Sequence, residues 1–295
     1  LEMGISDFGE MARLTKIAKP DTCVITNIGT CHLENLGDRD GVLKAKTEIF
    51  QSMKPNGHIV LNGDDDKLIT VREYNGVKPV FFGLNSERDV YADQIESKGL
   101  KGVACRIHLG EDAFDVLVPT PGIHMVYNAL AAAAVGRIYG LTIEEIRRGI
   151  ESLETIRGRF KMIETDKFLV VDDCYNANPM SMKASLDVLH DGEGRRVAIL
   201  GDMGELGEDE AALHEGVGIH AATCGIDACV CVGDLAVHIA EAARKANPDF
   251  PVYYEKTRES LLEHLNDYVQ KGDTILVKAS HFMKFEEVVK ALEEM

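Results

Sequence analysis

The 295 residues include no tryptophan, only 8 prolines, and fewer basic than acidic side chains. No long apolar run is present. The most apolar stretch, Ala129 to Val135, falls far short of the roughly 20 residues a membrane-spanning helix needs, which excludes such a helix. Low-complexity tracts and short repeats are absent as well. Lys and Arg number 32 against 49 Asp and Glu, a net charge of −17. So acidic a chain repels phosphate backbones, which excludes a general nucleic-acid binder and still permits a local site for a small phosphorylated ligand. The 7 cysteines (Cys23, Cys31, Cys105, Cys174, Cys224, Cys229 and Cys231) form no CxxC pair and no even framework. They are expected to be reduced, buried thiols of a cytoplasmic protein. The chain opens Leu1-Glu2-Met3-Gly4, with no initiator methionine and no signal peptide, and is expected to be a fragment.

The length is enough for two domains, each with a buried core. Apolar runs alternate with amphipathic helical spacing. Thr22 to Ile28 and His58 to Asn62 read as buried strands, joined through a helical pattern from Gly41 to Met53, a β-α-β unit. From Pro79 to Val118 the runs shorten and alternate, which predicts a small antiparallel sheet set into the first domain. Helices are predicted from Met125 to Tyr139 and after Thr142, where Thr142 and Glu145 have capping-box spacing.

Beyond Gly158 a second β-α series begins. Strands are predicted at 168–172, 196–200, 228–232, 252–254 and 274–277, with helices at 180–190, 208–223, 235–246, 258–269 and 285–294. Such alternation implies an open, mostly parallel sheet, whose ligands bind beyond the carboxyl ends of the strands.

Polar residues do gather there. The first strand leads to His32, and Glu2 sits near another expected strand end. Taken singly, His32 reads as a hydrogen-bonded loop residue, Glu2 as a surface carboxylate and Lys46 as a solvated helix charge. The run from Asn62 to Asp66 reads as a turn, or more sharply as a nucleotide or metal contact. Gly158-Arg159-Phe160 opens the second domain, and one of its strands runs into Asp172-Asp173-Cys174-Tyr175-Asn176-Ala177-Asn178-Pro179. Pro179 suits the first position of a helix. Two further strands end in Gly201-Asp202-Met203-Gly204-Glu205-Leu206-Gly207 and in Lys278-Ala279-Ser280-His281. Physical reading alone stops at a two-domain α/β protein that binds a phosphorylated or carboxylated ligand.

Taken together and in order, these segments resemble the Mur ligases. The segments are EMG at Glu2, ITNIGTCHLENLG from Ile25, LKAKTEIF from Leu43, LNGDDD from Leu61 and HMVYNALAAAAVG from His124. They continue with RGRF from Arg157, DDCYNANPMSM from Asp172, GDMGELG from Gly201 and LVKASHFMKFEEVV from Leu276. The pairing of DDCYNANP with GDMGELG resembles the branch that adds D-alanyl-D-alanine to UDP-N-acetylmuramoyl-tripeptide. No DNPR motif of the diaminopimelate-adding branch is present. A sister Mur-type ligase, and a non-catalytic module that binds nucleotide and dipeptide, remain as alternatives.

The resemblance implies an α/β chain in two parts. Residues 1–158 would be a P-loop-ATPase-like central domain, incomplete at its start, and residues 159–295 a Rossmann-like C-terminal domain. It implies ATP and Mg²⁺ as cofactors, UDP-N-acetylmuramoyl-tripeptide and D-alanyl-D-alanine as substrates, and a monomer. Glu2 and His32 match the family's magnesium-site residues. Lys46 matches the lysine that becomes a carbamate, contributing to that site and to catalysis. Asn128 matches the adenine-binding asparagine, Arg159 the arginine that reaches ATP phosphates, and Asp173 the ribose-binding acid. Asn176, Asn178, Lys278 and Ser280 match stretches facing the amine substrate, with Ala279 and His281 standing where the family has Gly and Arg. No G-x-x-G-K-[ST] phosphate loop occurs in the sequence. The resemblance places that loop upstream of Glu2, so the chain alone is expected to be inactive.

Overall fold

The computed structural model describes residues 1–30 and 32–295. Cys31, expected to be a buried thiol, lies outside the described residues. The chain divides into two compact units, Leu1–Leu153 and Glu154–Met295.

Unit 1 runs α1 (Glu10–Ala18), β1 (Thr22–Ile25), α2 (Leu33–Leu36), α3 (Arg39–Thr47), β2 (His58–Asn62), β3 (Val80–Gly83), β4 (Val90–Ser97), β5 (Val103–Leu109), β6 (Asp112–Val118), α4 (Ile123–Ile138) and α5 (Ile143–Glu151). Its six strands form one sheet in sequence order. β1 to β4 pair parallel, and β4, β5 and β6 pair antiparallel. The antiparallel strands are therefore not a separate small sheet. The residues Val80–Gly83, which had read as its first strand, pair with β2 and carry the parallel sheet on to β4.

Alternation along β2 sends Val60 to one core, with α4 and α5, and Ile59 and Leu61 to the other, with α1 and α3. β5 alternates strictly between buried and half-buried residues, as a strand covered on one face does. The capping box of Thr142 and Glu145 is present at the start of α5.

Unit 2 runs β7 (Lys161–Glu164), β8 (Leu169–Asp172), α6 (Pro179–His190), β9 (Arg196–Gly201), α7 (Glu210–Thr223), β10 (Ala228–Val232), α8 (Ala236–Ala246), β11 (Val252–Glu255), α9 (Arg258–Tyr268), β12 (Thr274–Lys278) and α10 (Glu286–Glu294). The sheet order is β11-β10-β9-β12-β8-β7. All neighbours are parallel except β7, which pairs antiparallel with β8. β10 and β12 are buried at every position, as strands covered on both faces must be. The chain moves outward through β9, β10 and β11, then returns to insert β12 between β9 and β8. That reversal leaves a crevice beyond the carboxyl ends of β8, β12 and β9. Close packing at the crevice excludes larger side chains: a Cβ on Gly201 would lie 2.6 Å from the Ala279 Cβ and 2.8 Å from the Phe285 ring.

Candidate functional site

In unit 1 the loop from β1 to α2 is held from several sides. Ile28 donates its N–H to the Asp65 carboxylate at 2.7 Å, and its carbonyl accepts from Arg39 Nε at 3.0 Å. Asp65 also accepts from the Lys67 and Leu68 N–H groups, and Asp66 pairs in two-pronged fashion with Arg39. Asp64 accepts from the Leu84 N–H, Arg88 Nε and the Tyr127 hydroxyl. All three carboxylates of the LNGDDD run are thus engaged in holding the fold, which favours the turn reading over the nucleotide or metal reading.

What this scaffold presents is the stretch after β1, residues 26–30, and His32. Lys46, half-buried on α3, reaches that stretch and donates from Nζ to the Asn27 carbonyl at 2.9 Å. His32 is the N-cap of α2 at φ 59, a left-handed conformation that histidine adopts more readily than most side chains. The segment carrying Glu2 is tied to the same helix, because Asn35 Nδ2 donates to the Ser6 carbonyl at 3.0 Å. Glu10 accepts from the Ser6 and Asp7 N–H groups. These bonds hold its carboxyl below the usual range, with smaller contributions from Arg13 and His32. Glu2 itself is exposed. Asn128 is exposed on α4, its Nδ2 3.4 Å from the Met125 Sδ. The neighbouring Tyr127 contacts Asp64 just past β2, which puts Asn128 toward the carboxyl ends of the parallel strands. Among the described residues no three His, Cys, Asp or Glu side chains converge as a metal site.

In unit 2 the structure brings six of the expected residues to the crevice. The loop bearing Arg159 is fixed against the end of β8: Gly158 donates to the Asp172 carboxylate at 2.9 Å, Tyr175 donates to the Gly158 carbonyl at 2.9 Å, and Phe160 donates to Asp173 Oδ1 at 3.2 Å. Gly158 at φ 79 and Phe160 at φ 53 bracket Arg159 in left-handed backbone, costly for a phenylalanine and of the kind that collects at functional loops. The exposed Arg159 guanidinium stacks over the Tyr175 ring at 4.2 Å, and Tyr175 in turn lies 5.7 Å from the His281 ring.

Beneath this outward layer lies a buried one. Lys278, at the end of β12, donates from Nζ to Asp173 Oδ2 at 2.6 Å and to the Asn176 carbonyl at 3.1 Å. Asp173 Oδ2 also accepts from the Ser185 hydroxyl at 2.7 Å. Ser280 stitches the crevice loops together, accepting from the Gly204 N–H at 2.9 Å and donating to the Ala177 carbonyl at 3.4 Å. Asn178 is the N-cap of α6. It accepts from the Ser181 N–H at 2.9 Å, and Pro179 follows in the first turn. Asn176 is exposed, its Oδ1 2.8 Å from the Ala177 N–H. The Cys174 thiol donates to Asp172 at 3.0 Å; burial, then that carboxylate, pushes its pKa far up, so it is no nucleophile.

Sequence reasoning had passed over Tyr175 as a partner of Arg159, and His214 altogether. Tyr175 stands inside the DDCYNANP run. His214 shares the helical spacing of Val217, Gly218 and Ala221, all buried, so a histidine lay on an apolar stripe. An apolar hollow of about 410 Å³, lined by Val24, Ala131, Val135 and Tyr139, carries none of the polar groups described above.

Residues 1–136 match the Mur ligase middle domain, and residues 158–281 match the Mur ligase glutamate ligase domain. The whole chain is 36% identical to the UDP-N-acetylmuramoyl-tripeptide–D-alanyl-D-alanine ligase of Bacillus subtilis and 34% identical to the ligase of the same name from Escherichia coli. It spans 64% and 65% of the length of these two relatives. Among solved structures it resembles MurF from Acinetobacter baumannii, with a TM-score of 0.89 at 32% identity over the whole chain and 64% of that protein. MurF from Thermotoga maritima, solved in complex with ADP, gives a TM-score of 0.84 at 28% identity, again over the whole chain and 66% of that protein. Both halves of the sequence, their strand order and the loops at their strand ends thus lead to one assignment: the chain belongs to the Mur ligase family.

Proposed function

We propose that this chain is the nucleotide- and amine-handling part of an ATP-dependent ligase that joins D-alanyl-D-alanine to UDP-N-acetylmuramoyl-tripeptide. The setting is peptidoglycan precursor synthesis in the bacterial cytoplasm, and the protein works as a monomer. The observation that supports this best is the similarity, running the full length of the chain, to ligases of that name. Residues 1–158 serve as the ATP-binding part and residues 159–295 as the part that brings in the amine.

A carboxylate is a poor electrophile because oxide is a poor leaving group. Transfer of the ATP γ-phosphoryl group to the tripeptide carboxylate makes an acyl phosphate. The dipeptide amine then attacks its carbonyl carbon, the carbon–oxygen bond to phosphate breaks, and the nitrogen loses its proton. Little of this is covalent work for the protein, which positions anions and neutralises their charge.

The donor set near the β1–α2 loop suits Mg²⁺ once Lys46 is a carbamate, because carbamylation exchanges an ammonium for hard oxygens. Glu2, His32 and Lys46 would then hold the ion, together with water. Bound there, magnesium supplies charge neutralisation for phosphate oxygens. The Asn27 carbonyl, which accepts from Lys46, fixes where that side chain points.

Asn128 offers an amide that both donates and accepts, as an adenine edge requires. Arg159 contacts phosphate, held by the Tyr175 ring. Asp173 has about four acceptor positions. Lys278, Ser185 and Phe160 take three of them, which leaves one on Oδ1 for a ribose hydroxyl. Asn176, with Asn178, Lys278 and Ser280 behind it, forms the wall for the amine substrate.

The test joins the chain to the part of the Bacillus subtilis relative outside the matched region. The hybrid should release phosphate only when ATP, UDP-N-acetylmuramoyl-tripeptide and D-alanyl-D-alanine are all present. Arg159→Ala should lower turnover by about a hundredfold, the scale of one preorganised donor to developing charge, with the fold intact by circular dichroism. Phosphate release that ignores the dipeptide refutes the ligase reading, and unchanged turnover in the variant removes Arg159 from the mechanism.

A further inference from the structure

The Gly201–Gly207 stretch follows β9 into the crevice and is anchored at three consecutive residues. The Asp202 carboxylate accepts from the Leu235 and Ala236 N–H groups at the start of α8, at 3.1 and 2.7 Å. The Asp202 carbonyl accepts from the Ser280 N–H at 3.0 Å. Gly204 donates to the Ser280 hydroxyl at 2.9 Å. Between them, Met203 donates its N–H to His214 Nε2 at 2.9 Å. His214 lies on α7 with no exposed surface, and its Nδ1 is 2.7 Å from the Glu210 carbonyl. These two contacts determine the tautomer. A backbone N–H can only donate, so Nε2 carries the lone pair; a carbonyl can only accept, so Nδ1 carries the proton.

We infer that neutral His214 is a positioning residue, holding the Gly201–Gly207 loop against Ser280 and so setting the shape of the crevice wall that receives the amine. The last clause rests on the function proposed above; the holding of the loop does not. Protonation would turn Nε2 into a second donor facing the Met203 N–H. Burial keeps the His214 pKa below 6.5. Asp202 on the loop and Glu210 on its own helix act upward, and His238 of α8 acts downward. The folded pKa is the depressed one, so the contact is fully present above about 6.5 and is lost as pH falls through the lower folded value.

The experiment is amide hydrogen exchange on the 295-residue chain near neutral pH. His214→Leu keeps bulk and removes the acceptor, whereas His214→Gln restores an acceptor that does not titrate in this range. Met203 should exchange about tenfold faster in the leucine variant and near the wild-type rate in the glutamine variant, with α10 amides unchanged. On acidification, with each rate referred to its intrinsic value at that pH, the wild type should show the same local loss of protection and the glutamine variant should not. If the leucine variant fails to fold, that acid comparison decides alone. Equal Met203 protection in wild type and His214→Leu, or equal acid responses of wild type and His214→Gln, overturns the inference. Calorimetry with D-alanyl-D-alanine separates the two layers. Weakened binding in the leucine variant alone supports the link to the amine, and equal binding in all three overturns that link. Absence of binding by the wild type counts against the proposed function, while the exchange data still judge His214.

Discussion

Lys278→Met is the perturbation that tests the buried layer of the crevice. Lys278 and Asp173 meet at 2.6 Å with side chains 3% and 14% exposed. At that separation the attraction is about 6 kcal/mol for an effective dielectric near 20. Removing both ions from water costs several kcal/mol each, so the intact pair is close to neutral for stability. Taking away one partner is different. Methionine fills most of the volume but leaves the Asp173 carboxylate largely buried, with Ser185 and Phe160 as its remaining donors among the described residues. It also strips the Asn176 carbonyl of its ammonium partner. The expected loss is about 3 kcal/mol, at the low end for a broken buried pair because two donors remain. For a unit of this size that lowers the melting temperature by roughly 6–12 °C. Scanning calorimetry suits the measurement, since the units can melt separately and the change belongs to the transition of unit 2. Adding Asp173→Asn removes the stranded charge and should recover at least half of the loss. A Lys278→Met transition within about 1 kcal/mol of wild type, or a double variant no better than the single, would refute the reasoning.

Two further substitutions probe packing and capping. Gly218→Ala should destabilise unit 2 by about 1–3 kcal/mol, since the added Cβ would lie 2.1 Å from the Ile239 carbonyl oxygen and push α8 from α7; urea unfolding measures it. Thr142→Ala removes the side-chain half of the α5 capping box and should cost unit 1 about 1 kcal/mol, read from the same curves, whereas Thr142→Ser should cost almost nothing.

The elements most legible in the sequence were those whose local signals agree with their surroundings. β10 is apolar throughout and β9 and β12 are apolar between their ends because helices cover both faces, and α6 begins at Pro179 because its missing N–H costs nothing there. What stayed hidden depended on partners distant in the chain. Val80–Gly83 looks the same whether it opens an antiparallel sheet or extends a parallel one; only pairing with β2 decides. α1 is short, and its N-terminus is held by the Glu48 carboxylate, which accepts from Gly9 and Ala12 across 39 and 36 residues. No local cap announces that helix. The candidate site divides the same way. Strand-end position marked Asp173, Lys278 and Ser280 as belonging together, but only the folded chain brings Tyr175 under Arg159 or His214 beneath the loop after β9.

That division explains why a polar residue at a strand end is an incomplete argument for ligand contact. The LNGDDD run and the DDCYNANP run look equally rich in carboxylates and amides. In the first, all three carboxylates are engaged by Arg39, Arg88, Tyr127 and backbone N–H groups. In the second, Asp172 and Asn178 bind backbone and Asp173 binds Lys278, while Asn176 and Tyr175, the latter beneath Arg159, remain exposed. Lys278, whose ammonium donates to Asp173 and to the Asn176 carbonyl, could meet a ligand only by surrendering one of these partners inside a low-dielectric site. The contribution of these buried contacts is rigidity: they fix the backbone on which the exposed Arg159, Tyr175 and Asn176 side chains stand. The net charge of −17 describes what the surface repels on average and not the charge at one set of strand ends.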